Sequence, residues 1–233
     1  MPPKPKRHEL QNQKYRLTHG LEQRTHRRLL LPERHLFVTE GTKTEPNYLN
    51  GMIDCICQKC GAGARRQFRV IGEGDNTLSL LEKAEKHQKN DADGFQHVWI
   101  LYDKDDFPPD SFDNTVGRCE ALNKRYVEES RDLRFHAIWS NQCLELWFLL
   151  HYVYMDTDID RAIYRKKLSE QIGRHYDKND EFIFQTLLPH MNTAVKHSKK
   201  LLQSYPKVLS PSAKAPCTNI HELIDFFRDD LLT

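Results

Sequence analysis

Three acidic residues stand where apolar runs of this chain end. His35-Leu36-Phe37-Val38-Thr39 passes into Glu40-Gly41, and His97-Val98-Trp99-Ile100-Leu101-Tyr102 passes into Asp103-Lys104-Asp105-Asp106. Carboxylates brought to one point repel each other, and a hard divalent cation relieves that repulsion. Mg²⁺ takes one or two carboxylates and keeps its remaining positions for water and substrate phosphate. Glu40, Asp103 and Asp105 therefore read as ligands for Mg²⁺ (or Mn²⁺), with chemistry at a phosphate ester as the natural outcome. Residues two apart in an extended strand project the same way, so Asp103 and Asp105 can reach one ion while Asp106 points elsewhere. The bland reading, solvated acids at a strand-to-loop junction, suits Asp103–Asp106 taken alone and weakens once Glu40 joins them.

The elements that must position these acids follow from the hydrophobic pattern. A short apolar run bounded by turn signals is the mark of a buried strand in a parallel sheet. Ligands of open α/β sheets gather just beyond the carboxyl ends of such strands. Strands are expected near 35–39, 67–71, 98–102 and 135–139, the last closed by Ser140-Asn141. Between them, helical spacing begins at Thr44 (an N-cap, with Pro46 in the first turn), after Asn76-Thr77, near Phe112 and at Cys143. The order βαβαβαβα predicts an α/β fold: a parallel four-stranded sheet flanked by helices, with right-handed crossovers. Beyond Asp156 the pattern is helical throughout, interrupted by the turn-rich stretch 210–216. The expected organisation is a basic flexible arm over 1–33, an α/β domain over 34–155 and a helical extension over 156–233.

Net charge is only +2, but its distribution is uneven. Nine Lys and Arg residues between Lys4 and Arg34 face only Glu9, Glu22 and Glu33, and such an arm suits a phosphate-rich polymer as well as a plain solvated tail. No apolar stretch approaches the roughly 20 residues that cross a bilayer, and no apolar signal core opens the chain, so the cytoplasm is the expected location. Cys55, Cys57 and Cys60 crowd one segment but lack the second pair that a structural zinc site wants, so they read as reduced thiols. His35, His97, His136 and His151 flank apolar runs and read as structural.

Glu145 lies within Leu144-Glu145-Leu146-Trp147-Phe148-Leu149-Leu150. A buried unpaired charge costs several kcal/mol, so this carboxylate needs a metal, a basic partner or the dipole of a helix start. Lys43, just past the Glu40-Gly41 turn, is a candidate phosphate contact at a helix start. Asn141 is expected to cap the following helix and to touch substrate. Lys178, in Tyr176-Asp177-Lys178-Asn179-Asp180, is a weaker candidate for the same anion. No Walker-type phosphate loop is present, so an ATPase activity would have to come from a partner protein.

A strand ending in Glu-Gly followed by a strand ending in Asp-x-Asp resembles the Toprim signature. Phe37–Tyr48, Leu101–Asp106 and Ser140–His151 together are similar to the RloB-like family, over about 35–227. The resemblance implies a Toprim-like domain in which Glu40 takes the place of the glutamate ligand or general acid/base and Asp103 and Asp105 hold Mg²⁺, with Glu145 as a further acid. It also implies a nuclease of bacterial anti-phage defence, related to abortive-infection factors, acting on DNA or RNA, tRNA included, beside a sensor or ATPase partner and with room for a homo-oligomer. Two other classes compete. A non-catalytic module that binds nucleotide or nucleic acid would gain nothing from acids that repel phosphate. A phosphoacceptor receiver would lack its lysine after a fifth strand.

Overall fold

The run 35–39 is buried on all sides because it becomes an inner strand. The computed structural model describes residues 33–74, 77–104 and 109–232. Strand β1 (His35–Thr39) pairs in parallel with β2 (Phe68–Gly72) on one side and β3 (His97–Asp103) on the other, and β3 pairs in parallel with β4 (Arg134–Asn141). A fifth strand, β5 (Cys217–Thr218), runs antiparallel to β4 and completes the order β2-β1-β3-β4-β5. The expected four-stranded parallel sheet is thus corrected to a five-stranded, mostly parallel one. Two residues at the end of a turn-rich stretch carry no periodicity, so β5 has no local signal.

Alternation along the inner strands divides the core. Phe37, Trp99 and Leu101 pack with Tyr48, Leu49 and Met52 of helix α1 (Thr44–Cys60). Leu36, Val38, Val98 and Ile100 pack on the opposite face, with Leu80 and Leu81 of α2 (Thr77–Asn90) and Phe112, Cys119 and Leu122 of α3 (Pro109–Glu128). Helix α4 (Leu144–Leu150) has all seven residues buried, with Trp147 and Phe148 in the first cluster and Leu146 and Leu149 in the second. A helix apolar on every face but for one acid, Glu145, belongs inside.

The later helices are α5 (Arg161–Ile172), α6 (Ile183–Leu187), α7 (Met191–Gln203), α8 (His221–Phe226) and α9 (Arg228–Leu231). Leu168, Phe184, Met191 and Leu223 bring four of them onto the first cluster. No described helix is long and apolar enough to cross a membrane. Beyond β5 the edge of β4 is closed by a side chain. Asn219 Oδ1 accepts the Trp139 N–H at 2.7 Å, its Nδ2 donates to the Ala137 carbonyl at 2.9 Å, and its backbone N–H donates to the Trp139 carbonyl at 3.1 Å.

The strand order fixes where a ligand belongs. The chain leaves β1 for β2, then returns across β1 to β3, so the crossovers diverge between β1 and β3 and a crevice opens beyond their carboxyl ends. Glu40 and Asp103 stand at those two ends. Asp105 and Asp106, and the arm apart from Glu33, lie outside the described residues.

Candidate functional site

Glu40 is held in place from both sides through its backbone. Its N–H donates to the Leu101 carbonyl of β3 at 3.1 Å, and its carbonyl accepts the Gly74 N–H at 3.0 Å. The Asp103 N–H points to Glu40 Oε2 in a long hydrogen bond of 3.4 Å, so the Glu40 carboxylate reaches across to the end of β3. Asp103 Oδ2 in turn accepts the Leu144 N–H at 3.1 Å, at the start of α4. A carboxylate there satisfies an orphan N–H and sits favourably in the helix dipole. Four hydrogen bonds thus join the ends of β1, β2 and β3 and the start of α4 at one corner.

Gly72 makes the corner possible. A Cβ there would lie 2.7 Å from the Gly41 carbonyl oxygen and 2.8 Å from Thr42 Cα, both backbone atoms. Gly72→Ala is expected to force the Glu40–Thr42 turn outward and lower stability by about 1–3 kcal/mol, the usual cost of overpacking. Urea unfolding beside the unchanged chain checks this; an equal midpoint would mean that the turn yields freely.

Glu40 and Asp103 line a cavity of about 610 Å³ together with Lys43, Glu145 and Lys178. Five of the residues singled out from sequence therefore share one space. Sequence reasoning missed three more charged residues there: Glu45, Arg161 and Arg165. Glu45 is buried over Gly41, where any Cβ would collide with its carboxylate. Arg161 and Arg165 are four residues apart on α5, hence on one face of that helix. That spacing was legible, but nothing local says that the face turns back to the sheet.

Glu145 has the basic partner that its burial demands. It is 2 % exposed, and its Oε1 accepts from Arg165 Nε at 3.0 Å. The Arg165 side chain makes no other hydrogen bond among the described residues, which leaves its terminal nitrogens for a ligand. Cys143 also lines the cavity, where burial and then the carboxylates of Glu145 and Asp103 push its thiol far above the usual range. It stays a neutral thiol, unfit as a nucleophile.

Two expectations at this corner are corrected. Asn141 neither caps α4 nor lines the cavity: it is buried, and its Nδ2 donates to the Pro211 and Ser212 carbonyls at 3.2 and 2.9 Å. Cys143 holds the N-cap position, and Asp103 supplies the side-chain acceptor from another strand. Thr44 is likewise the first residue of α1 rather than its cap; its hydroxyl donates to the Lys178 carbonyl at 3.3 Å, tying the loop that carries Lys178 to the cavity wall.

Among the described residues no three His, Cys, Asp or Glu side chains are grouped to hold a metal ion. Cys55 and Cys57 lie on α1, where two residues of spacing turn the side chains about 200° apart, so the cysteine cluster cannot close on one ion. Glu40 and Asp103 do supply what a hard cation takes, carboxylate oxygens from two strand ends beside a space open to phosphate.

The histidines are structural contacts. His35 Nδ1 accepts from Trp99 Nε1 at 3.2 Å, and His97 lies 2.9 Å from His136 and 2.7 Å from Glu33. No curated protein and no solved structure matches the chain. The family model described as RloB-like protein matches residues 35–227.

Proposed function

The chain belongs to the RloB-like protein family, and from that premise and the acids at the sheet crevice we propose a metal-dependent nuclease that hydrolyses phosphodiester bonds in DNA or RNA. The observation that carries this reading is the meeting of Glu40 and Asp103, from separate strands, in a cavity whose wall also bears Lys43, Arg165 and Lys178. That combination of acids for a cation and cations for an anion suits a phosphodiester and suits few other ligands. The crevice and its acids are also those expected of a Toprim-like domain.

Glu40 and Asp103, with Asp105, would hold Mg²⁺ or Mn²⁺. Once bound, such an ion lowers the pKa of a coordinated water and offsets charge growing on the phosphate. The chain's own side chains do the rest. Lys43 and Lys178 draw the phosphate into the cavity. Glu145 fixes Arg165 through Nε, so that the terminal nitrogens can take phosphate oxygens in a preset orientation. A role in anti-phage defence, with a sensor or ATPase partner, rests on the family alone.

The test is direct. Purified protein is incubated with labelled single- and double-stranded DNA, tRNA and ribosomal RNA, in Mg²⁺, Mn²⁺ or EDTA. Cleavage is expected with metal, none with EDTA, and none in Glu40→Ala with its circular dichroism retained. Tight binding without cleavage in any metal would overturn the reading in favour of a regulatory binding module.

A further inference from the structure

A second cavity of about 660 Å³ adjoins the first and shares Arg165 and Lys178 with it. Its wall continues along the exposed side of α5 through Lys166 and Ser169 and returns by way of His175. Lys166 and Lys178 have no carboxylate within 4.0 Å among the described residues, and Lys166, His175 and Lys178 are exposed. The one acid on this wall, Asp177, already accepts the Asn179 N–H at 2.9 Å. The second space is therefore positive, with Arg165, Lys166 and Lys178 against Asp177 alone, while four acids and four cations balance on the wall of the first.

We propose that a polynucleotide strand runs out of the carboxylate cavity along α5, and that Lys166 and His175 bind its phosphates beyond the cleaved linkage. The inference rests on the phosphodiester reading of the first cavity and adds the path and the length of the substrate. A small phosphate ester would fill the first space alone and gain nothing from a second row of cations. A strand carries one charge per linkage, and each cation it meets releases a counterion. Such contacts fix the register of the strand without reading bases, so this groove confers affinity for length rather than for sequence. A ring N–H of His175 and the hydroxyl of Ser169 suit phosphate oxygens in the same way.

The test uses the full chain in EDTA, so that binding is read without cleavage. Fluorescence anisotropy measures a 12-nucleotide DNA, an RNA of the same sequence and a dinucleotide with a single linkage. The double variant K166E/H175E changes two exposed residues, and an unchanged melting temperature verifies its fold. Affinity for both 12-mers is expected to fall about tenfold or more, with the slope of log K against log salt shallower by about 1. Affinity for the dinucleotide is expected to change by less than about twofold. An equal loss for all three ligands, or no loss for any, overturns the groove. A poly-glutamate of matched charge that competes as well as the 12-mer also overturns it, in favour of an acidic peptide. The two readings fail separately: cleavage by the unchanged protein without a length-dependent loss sinks only the groove, and a length-dependent loss without cleavage sinks only the nuclease.

Discussion

Asp103→Asn is expected to lower kcat for phosphodiester cleavage by roughly 10²–10³-fold, the scale on which one lost electrostatic stabiliser acts, while the protein stays folded. This side chain has two duties. Its Oδ2 accepts the Leu144 N–H at the start of α4, and its charge, with that of Glu40, makes the corner attractive to a cation. Asparagine keeps an oxygen for the N–H and discards the charge. Asp103→Ala discards both, so it should add a capping loss of about 1 kcal/mol. Thermal unfolding of the two variants, set beside single-turnover rates, separates the duties. An asparagine variant as active as the unchanged protein, or one that fails to fold, would contradict this division.

Acidification below about pH 6.5 is expected to unfold the protein near pH 5, through histidines that folding keeps neutral. Burial holds His35 and His151 down at about 3 and His221 at about 4, from an ordinary 6.5, with His97 and His136 adding to the effect on His35. The sign follows from where protons bind. Between the folded and unfolded values the unfolded chain takes up more protons, so stability falls as pH falls. At pH 5 each of these three residues costs about 2 kcal/mol, together a large part of a typical 5–15 kcal/mol stability. His151 is the clearest case. Its Nδ1 donates to the Trp147 carbonyl at 3.0 Å, and its buried Nε2 has no partner among the described residues, so a second proton would find no acceptor there. Tryptophan fluorescence followed from pH 8 to pH 4 should show the transition, and His151→Leu should move its midpoint to lower pH. An unmoved midpoint would remove His151 from the account.

The residues most legible from sequence were those whose position depends on strand ends. Glu40 and Asp103 meet because parallel strands deliver their carboxyl ends to one edge, and the apolar runs before them marked those ends. Glu145 was legible as a buried acid in need of a partner, but Arg165 was not legible as that partner. The path from α4 to α5 runs through residues 151–160, which carry no period, so the face of α5 that returns to the site has no local signature. Asn141 failed for a related reason: its amide is taken by carbonyls some 70 residues later in the chain. Glu45 looked like part of a helix start, and only the missing Cβ of Gly41 brings its carboxylate to the cavity.

Asn219 has a consequence for how the molecule behaves among its own copies. An outer strand with open N–H and C=O groups is a template on which a second chain can add a strand, and β5 covers only two residues of β4. By engaging the amides of Ala137 and Trp139 with its side chain and backbone, Asn219 occupies the rungs that a neighbouring molecule would otherwise use. The flank at β4 is therefore capped at Ala137 and Trp139 rather than open as a ladder, which works against fibrous stacking beside the corner of Glu40 and Asp103.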